Sequence, residues 1–199
     1  MESVLIKGLI IGFSIAAAIG PIAMLCVSRT IKSGKMSGFL SGLGAATADG
    51  LYAMLAGLGA ALIIDFLGDY KTLFFLISGL FLLYLGIKTF TTKISPTKKP
   101  TSTKSYLKDY FSTFILTIIN PATILSFMAV FGALKIEIMS SISLFVLGAF
   151  LGSSIWYLIL CTGIDHLSHK FSHKVLSLSN KASGMVIGGF GILTLLTIF

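Results

Sequence analysis

The chain has 199 residues, of which 55% are hydrophobic and 11% are charged, and it carries a formal net charge of +8. A soluble domain carries about 25% charged residues, so this chain has too few polar side chains to cover a water-exposed surface. The composition therefore excludes an ordinary soluble protein and indicates a protein embedded in a lipid bilayer.

Six apolar segments are each long enough to cross a bilayer as a helix, which takes about 20 residues. Their approximate bounds are 4–27, 38–64, 72–91, 110–134, 138–164 and 182–199. With short connections they occupy the whole chain, so we predict an all-α membrane protein with six transmembrane helices in a single domain. The first segment also resembles a signal peptide, but Glu2 and the apolar continuation to Val27 favour a retained helix.

The first predicted span carries Gly20-Pro21 near its middle. A proline inside a helix has no N–H and clashes with the carbonyl group four residues earlier, here that of Ala17. In lipid, a carbonyl freed in this way needs water, a side chain or a ligand as its partner. We therefore predict that the first span is broken here, and that Gly20 lets another backbone come close because it has no side chain.

Asp49 lies in the middle of the second predicted span, three residues before Tyr52. A charge at the centre of a bilayer costs about 2.5–3.5 kcal/mol on insertion scales, so we expect Asp49 to face the protein interior near the Gly20-Pro21 break. There it could hold a substrate ammonium group as a carboxylate and carry a coupling proton as an acid. The alternative is structural, a protonated Asp49 that makes a hydrogen bond to a neighbouring helix.

A segment rich in proline and lysine, residues 92–109, is predicted to be a solvated cytoplasmic linker. It separates a first half of about residues 4–91 from a second half of about residues 110–199. Each half has three spans, and an odd number of spans makes the two halves enter the membrane from opposite faces. This inverted repeat is typical of secondary transporters, whose binding sites lie at mid-membrane beside broken helices.

Short matches between the halves support the repeat. Pro21 and Pro121 lie near the middle of the first and fourth spans, 100 residues apart, while Asp49 matches Ser153 with an offset of 104. Tyr52 and Trp156 match at that same offset. We therefore expect both breaks to frame one substrate site. The candidate substrate- and ion-binding residues are Gly20, Pro21, Asp49, Tyr52, Asn120, Pro121, Thr123, Ser153 and Trp156.

The basic residues predict the orientation of the chain. Only Lys7, Lys71 and Lys135 of the 15 lysines and arginines fall on one side of the membrane, and the other 12 belong to the first, third and fifth loops. By the positive-inside rule these odd-numbered loops are cytoplasmic, and both termini lie outside. The net charge then reflects topology and attraction to anionic lipid, and it does not indicate a nucleic-acid partner.

Glycine and other small residues recur at four-residue spacing in several spans, as at Gly8 and Gly12. Such stripes let helices pack closely within one chain, and they could equally serve a homodimer.

Cys26 and Cys161 occur singly in the first and fifth spans without a C-x-x-C motif, so we interpret them as small core residues. Nothing in the sequence predicts that these two cysteines meet.

Three histidines follow the fifth span at helical spacing, His166, His169 and His173. On a helix they would share one face, which could bind a metal ion. The same stretch, residues 165–181, also has the pattern of an amphipathic helix at the membrane surface, and this interpretation is favoured. We predict no metal site and no cofactor.

Taken together, these motifs resemble the lysine exporter (LysE) family of amino-acid translocators. The resemblance rests on Gly20-Pro21, a basic loop, a glycine-rich second span with Asp49, and Asn120-Pro121. It implies a non-enzymatic secondary transporter of the bacterial cytoplasmic (inner) membrane. The expected activity is export of amino acids or related small metabolites, driven by the proton or another ion gradient.

Three positions depart from the family pattern. Ile19 replaces the first proline of a Pro-Gly-Pro motif, Ala122 replaces a basic residue after Asn-Pro, and Ser153 replaces an acid in the fifth span. These changes bear on substrate identity and not on the fold.

Other functions stay open at this point: a heavy-metal cation exporter of the same architecture, a thiol-redox carrier, and an accessory membrane subunit without its own ligand.

Overall fold

The structure, a computed structural model, describes residues 2–18, 20–91, 103–120, 123, 126–127, 142–168 and 173–198, with residues 2, 3, 56–71, 74, 173, 174 and 176 described by their backbone only. These residues form helices and no strand, as the sequence predicts. The helices are α1 (Glu2–Ala17), α2 (Pro21–Ser33), α3 (Lys35–Thr91), α4 (Thr103–Ile118), α5 (Ile142–Ser168) and α6 (His173–Leu196).

The first predicted span is broken where the sequence places its proline. α1 ends at Ala17 and α2 begins at Pro21, and the two helix axes differ by 75°. Proline is well tolerated at the first helical position, because its missing N–H would have no partner there in any case. The expected break is therefore confirmed, and the first span consists of two short helices.

The first predicted loop is much shorter than expected. α2 continues to Ser33, and Gly34 alone separates it from α3. The N–H of Gly34 bonds to the carbonyl of Thr30 (2.9 Å), and its φ of 94° is a conformation that glycine adopts without strain. As a result Arg29 and Lys32 lie on a helix and not in a loop, which changes the role of Arg29 described below.

α3 contains both the second and the third predicted span and is helical over its 57 residues. A straight helix of this length would measure about 85 Å, almost three times the thickness of a bilayer core. Its contacts exclude that shape. Ser41, near the start of α3, accepts a hydrogen bond from Arg29 (2.7 Å). Thr89, near the end of α3, accepts a hydrogen bond from the side chain of Asn180 (2.7 Å). The same Asn180 side chain accepts a hydrogen bond from Ser28 on α2 (2.5 Å). Both ends thus lie beside the same turn of α2, and the chain reverses direction within α3.

The remaining helices differ from the predicted bounds mainly at their ends. α4 begins at Thr103, inside the segment expected to be a linker, and α6 begins at His173 instead of residue 182. Within the described residues, α5 is by itself long and apolar enough to cross a membrane, and α1 with α2 passes the same test as a bent pair. The region 128–141, which holds parts of the fourth and fifth predicted spans, lies outside the described residues.

Two glycines at matching positions of the halves hold helices close together. A Cβ added to Gly44 would lie 2.2 Å from the carbonyl oxygen of Tyr110, so α3 and α4 touch backbone to backbone. A Cβ added to Gly148 would lie 2.3 Å from the carbonyl oxygen of Leu5, so α5 and α1 do the same. The small-residue surfaces of these helices are therefore used inside the chain.

Candidate functional site

A cavity of about 220 Å³ opens at the break between α1 and α2. It is walled by the ends of those helices, by α3, α5 and α6, and by residues that follow α4. Its lining residues are Ile15, Ala16, Ala18, Gly20, Pro21, Ile22, Ala23, Asp49, Asn120, Thr123, Ser126, Tyr157 and Phe190. The structure thus brings Gly20, Pro21, Asp49, Asn120 and Thr123 together from among the residues that the sequence nominated.

Asp49 is 3% exposed and faces this cavity, not lipid. Its Oδ2 lies 2.7 Å from the Oγ of Ser153, and the same Oγ lies 3.0 Å from the carbonyl oxygen of Gly12 on α1. A serine hydroxyl has a single proton to donate. When Asp49 is ionised, Ser153 can donate to it. When Asp49 is protonated, Asp49 can donate to Ser153, which then donates to Gly12.

The two protonation states of Asp49 therefore correspond to two hydrogen-bond patterns among α1, α3 and α5. In one pattern α5 is linked to α3, and in the other a chain of hydrogen bonds continues from α3 through α5 to α1. Ser153, which the sequence placed in the cavity lining, contacts Asp49 and is not itself among the lining residues. Its position matches the offset of 104 residues that the sequence repeat predicts.

The broken helix supplies backbone groups to the same cavity. α2 begins without a side-chain cap on Gly20, and Ile22 and Ala23 of its first turn line the cavity. The first N–H groups of a helix have no partner within it and carry a partial positive charge. The last carbonyl groups of α1 carry the opposite partial charge and end at Ala17. Hydrogen-bond donors and acceptors thus meet where the first span is interrupted.

A second interruption follows α4. Asn120 is 6% exposed, and its Nδ2 donates to the Oγ1 of Thr123 (3.1 Å), while the Thr123 N–H donates to the Asn120 carbonyl (3.2 Å). Both side chains line the cavity, as does Ser126. Pro121, which the sequence places between them, lies outside the described residues.

Tyr52 and Trp156, which the sequence nominated, are not among the lining residues of this cavity. The Tyr52 hydroxyl donates to the carbonyl of Ile118 in the last turn of α4, so it holds that helix end in place. Trp156 packs edge-on against Phe13, with ring centroids 5.4 Å apart. Its buried Nε1 has no hydrogen-bond partner within the described part of the chain.

Tyr157 lines the cavity instead of Trp156, and sequence reasoning missed it. The offset of 104 residues drew attention to Trp156 because it matches Tyr52. Tyr157 is four residues after Ser153 and therefore lies on the same face of α5. That helical spacing was a signal that could have found it.

Comparison with known proteins agrees with this geometry. The family model of LysE type translocators matches residues 13–197. The chain belongs to the LysE type translocator family. It is 29% identical over 164 residues to the protein named putative amino acid efflux protein YcgF of Bacillus subtilis strain 168, covering 77% of each chain. It is 28% identical over 193 residues to the uncharacterized membrane protein YrhP of the same organism, covering 88% of this chain and 90% of YrhP. No solved structure shows significant similarity.

Membership in the LysE type family identifies the chain as an integral membrane translocator, and it confirms the resemblance drawn from the sequence. The family and the similarity to YcgF support an exporter. The cavity at Asp49 is therefore the candidate translocation site of a membrane transporter. This translocator has further polar clusters, which lie away from that cavity.

Arg29 of this LysE type translocator is an ion-pair residue. Its Nε lies 3.3 Å from the Oδ1 of Asp109. Its terminal nitrogens donate to the hydroxyls of Ser41 (2.7 Å), Thr113 (2.7 Å) and Ser112 (2.8 Å). From the sequence, Arg29 was interpreted only as a basic residue of the first loop that helps to determine the topology. Asp109, an acid within a lysine-rich segment, was the sequence signal for this pair.

The two cysteines of the translocator are closer than the sequence suggests. Cys26 and Cys161 are both fully buried in one cluster on either side of Gly38. A Cβ added to Gly38 would lie 2.8 Å from the carbonyl oxygen of Cys26 and 3.0 Å from the Sγ of Cys161. Both are free thiols that pack as small core residues.

The histidine face falls largely outside the described structure. His166 is exposed near the end of α5, His169 lies outside the described residues, and His173 is the first residue of α6. Among the residues that the structure describes, no group of three His, Cys, Asp or Glu side chains is arranged to hold a metal ion.

Proposed function

We propose that this LysE type translocator exports amino acids or related small metabolites across the cytoplasmic membrane in exchange for protons. The observation that carries the proposal is a buried carboxyl group, Asp49, in a small cavity at a helix break. Intramembrane ionisable residues commonly mark substrate and proton pathways. Secondary transporters commonly bind their substrates beside such breaks.

The size of the cavity favours a small substrate. Its volume of about 220 Å³ is below the range of about 300–1,000 Å³ that is typical of sites for drug-sized ligands. A single amino acid is a ligand of suitable size. The name of YcgF, putative amino acid efflux protein, points to the same class of substrate.

The cavity offers a partner for each of the two charges of an amino acid. The N-terminus of α2, with Ile22 and Ala23 at the cavity wall, offers N–H donors and a partial positive charge for the substrate carboxylate. Asp49 and the carbonyl end of α1 offer negative charge for the substrate ammonium group. Binding both groups requires a ligand that carries them close together, as an α-amino acid does.

Proton exchange follows from competition at Asp49. An ionised Asp49 holds the ammonium group, whereas a protonated Asp49 does not and donates instead toward Ser153 (2.7 Å). A proton and a cationic group therefore cannot occupy Asp49 together. Alternation between them gives one proton in for one substrate out, which is the simplest coupling that a single carboxyl group can support.

An inverted repeat of three and three spans, with both termini outside, is the architecture that we propose for this exchange. Two observations support it. Gly44 and Gly148, at matching positions, each hold a helix of the opposite half. Asp49 and Ser153, also matching positions, are in direct contact, as expected of residues near an axis that relates two halves. Alternating access would then rock the halves about a site that both contribute to.

The test is transport by purified protein reconstituted into liposomes. Vesicles loaded with a panel of labelled amino acids are given an inward proton gradient, and release is followed for the wild type and for Asp49→Asn. We expect gradient-driven release of at least one amino acid by the wild type and its loss in Asp49→Asn. Asp165→Asn, which removes a carboxyl group outside the cavity, is the matched control. Release by Asp49→Asn with the wild-type gradient dependence would contradict the proposal.

A further inference from the structure

A second cavity of about 200 Å³ lies along the C-terminal half of α2. It shares no lining residue with the cavity at Asp49. Arg29 in its wall is eight residues after Pro21, which corresponds to about 12 Å along the axis of α2. The proposed translocation site therefore does not include this cavity.

The lining of the second cavity is strongly basic. Arg29, Lys32, Lys88 and Lys108 line it, and Asp109 is the single acid among its lining residues. Asp109 is already compensated, because it pairs with Arg29 (3.3 Å) and accepts a hydrogen bond from Ser37 (2.5 Å). Beside this ion pair, three lysines complete the basic lining. They come from three different helices, α2, α3 and α4, so the fold and not one local sequence brings them together.

The surroundings of Lys88 are those expected at the level of lipid headgroups. The Nζ of Lys88 lies 3.3 Å from the Tyr84 hydroxyl and 5.4 Å from the centre of its ring. Tyr84 is 55% exposed. Exposed tyrosine beside lysine is typical of the membrane–water interface, and basic pockets between transmembrane helices commonly bind anionic headgroups.

We propose that this cavity is a binding site for a phosphate group, most directly that of an anionic phospholipid. Lysine amines are effective point charges for phosphate, and Ser33 and Ser105 are further polar residues of the lining. A phosphate bound here would connect the end of α2, the end of α3 and the start of α4. Free phosphate has the same chemistry, so the experiment must distinguish the two sources.

The experiment measures thermal unfolding of the purified protein in detergent during titration with phosphatidylglycerol, phosphatidylcholine or inorganic phosphate. The cavity variant is Lys32→Gln with Lys88→Gln and Lys108→Gln. The matched control is Lys35→Gln with Lys104→Gln and Lys181→Gln, which removes the same charge from lysines that do not line the cavity. All six lysines are exposed, so both variants should fold. Lys88→Gln with Lys108→Gln is a milder second cavity variant.

We expect phosphatidylglycerol, but not phosphatidylcholine, to raise the unfolding temperature of the wild type and the control. In the cavity variant the apparent affinity should fall roughly a hundredfold, since each lysine near an anionic surface contributes about fivefold. Stabilisation by inorganic phosphate alone, lost in the same variant, would support the phosphate site with a free ion as its ligand. Equal loss in both triple variants, or no stabilisation by either phosphate source, would overturn the proposal.

Discussion

At the scale of single residues, the hydroxyl of Ser153 decides how Asp49 can behave. It lies within hydrogen-bond distance of both Asp49 (2.7 Å) and the Gly12 carbonyl (3.0 Å), yet it has one proton to donate. The serine can therefore support either protonation state of Asp49 without leaving a buried group unpaired. An acid at position 153 would place two carboxyl groups in contact and change this behaviour.

Ser153→Ala tests this role. It removes a buried partner of Asp49, which should lower stability by about 1–3 kcal/mol and slow gradient-driven release in the liposome assay. Ser154→Ala is the adjacent control, because the Ser154 hydroxyl donates to the Phe150 carbonyl of its own helix (2.7 Å). Equal transport rates for the two variants would show that the Ser153 hydroxyl has no part in the cycle.

The Arg29–Asp109 pair gives a prediction about stability. Asp109→Asn leaves the Arg29 charge, 15% exposed, without its acid, and breaking a buried pair commonly costs about 3–5 kcal/mol. We expect a loss near the lower end of that range, visible as a reduced unfolding temperature in detergent. Asp165→Asn serves as the control. An unfolding temperature equal to that of the wild type would mean that the hydroxyls around Arg29 suffice to hold it.

At the scale of helices, the close contact of backbones fixes the shape of the core. Gly44 and Gly148 occupy positions where a single methyl group would lie 2.2 Å and 2.3 Å from a carbonyl oxygen. Because these contacts join α3 to α4 and α5 to α1, they hold the walls around Asp49 and Ser153. Small residues are needed there because lipid provides no hydrophobic drive for helix association.

Gly44→Ala and Gly148→Ala should each destabilise the protein by about 1–3 kcal/mol, the usual range for overpacking. Gly163→Ala is the control, since an added Cβ would meet no atom within 4 Å there. Alanine favours a helix over glycine by up to about 1 kcal/mol, so the control should be neutral or stabilising. Thermal unfolding of the three variants measures this, and similar values for all three would contradict the packing argument.

At the scale of the whole molecule, the basic residues predict which end of the translocator faces the cytoplasm. Thr103 is exposed at the start of α4, beside the lysine-rich segment. In a variant without the two native cysteines, Thr103→Cys should resist an impermeant thiol reagent added to intact cells and react after the cells are opened. Labelling in intact cells would reverse the proposed orientation and the direction of export.

Much of the fold could be predicted from the sequence, because hydropathy is set by the bilayer and a proline has a definite effect on a helix. The apolar segments, the break at Pro21 and the burial of Asp49 follow from these constraints. The helix ends could not be predicted from hydropathy, because α2 and α4 extend beyond their apolar parts. The polar residues of these extensions include Arg29 on α2, which pairs with Asp109 on α4. The connection between the second and third predicted spans was expected to be a loop, and it is helical in the structure.

The cavity was only partly predictable for a similar reason. Backbone geometry at Gly20, Pro21 and Asn120 has a local cause, and these residues line the cavity as the sequence suggests. Which aromatic side chain joins them depends on the rotation of α5, which the packing of Gly148 against α1 determines. The sequence repeat therefore predicted Trp156 as a lining residue of the cavity, whereas Tyr157 lines it in the structure.

The central claim is that a substrate and a proton compete for Asp49, and proton release on binding measures this most directly. Purified protein in weakly buffered detergent solution is mixed with the transported amino acid at a series of pH values, and the released protons are counted. We predict release that approaches one proton per bound substrate toward the acidic end of the series, where Asp49 is protonated before binding. Asp49→Asn should release none while remaining folded. Proton release from Asp49→Asn equal to that of the wild type would contradict the account.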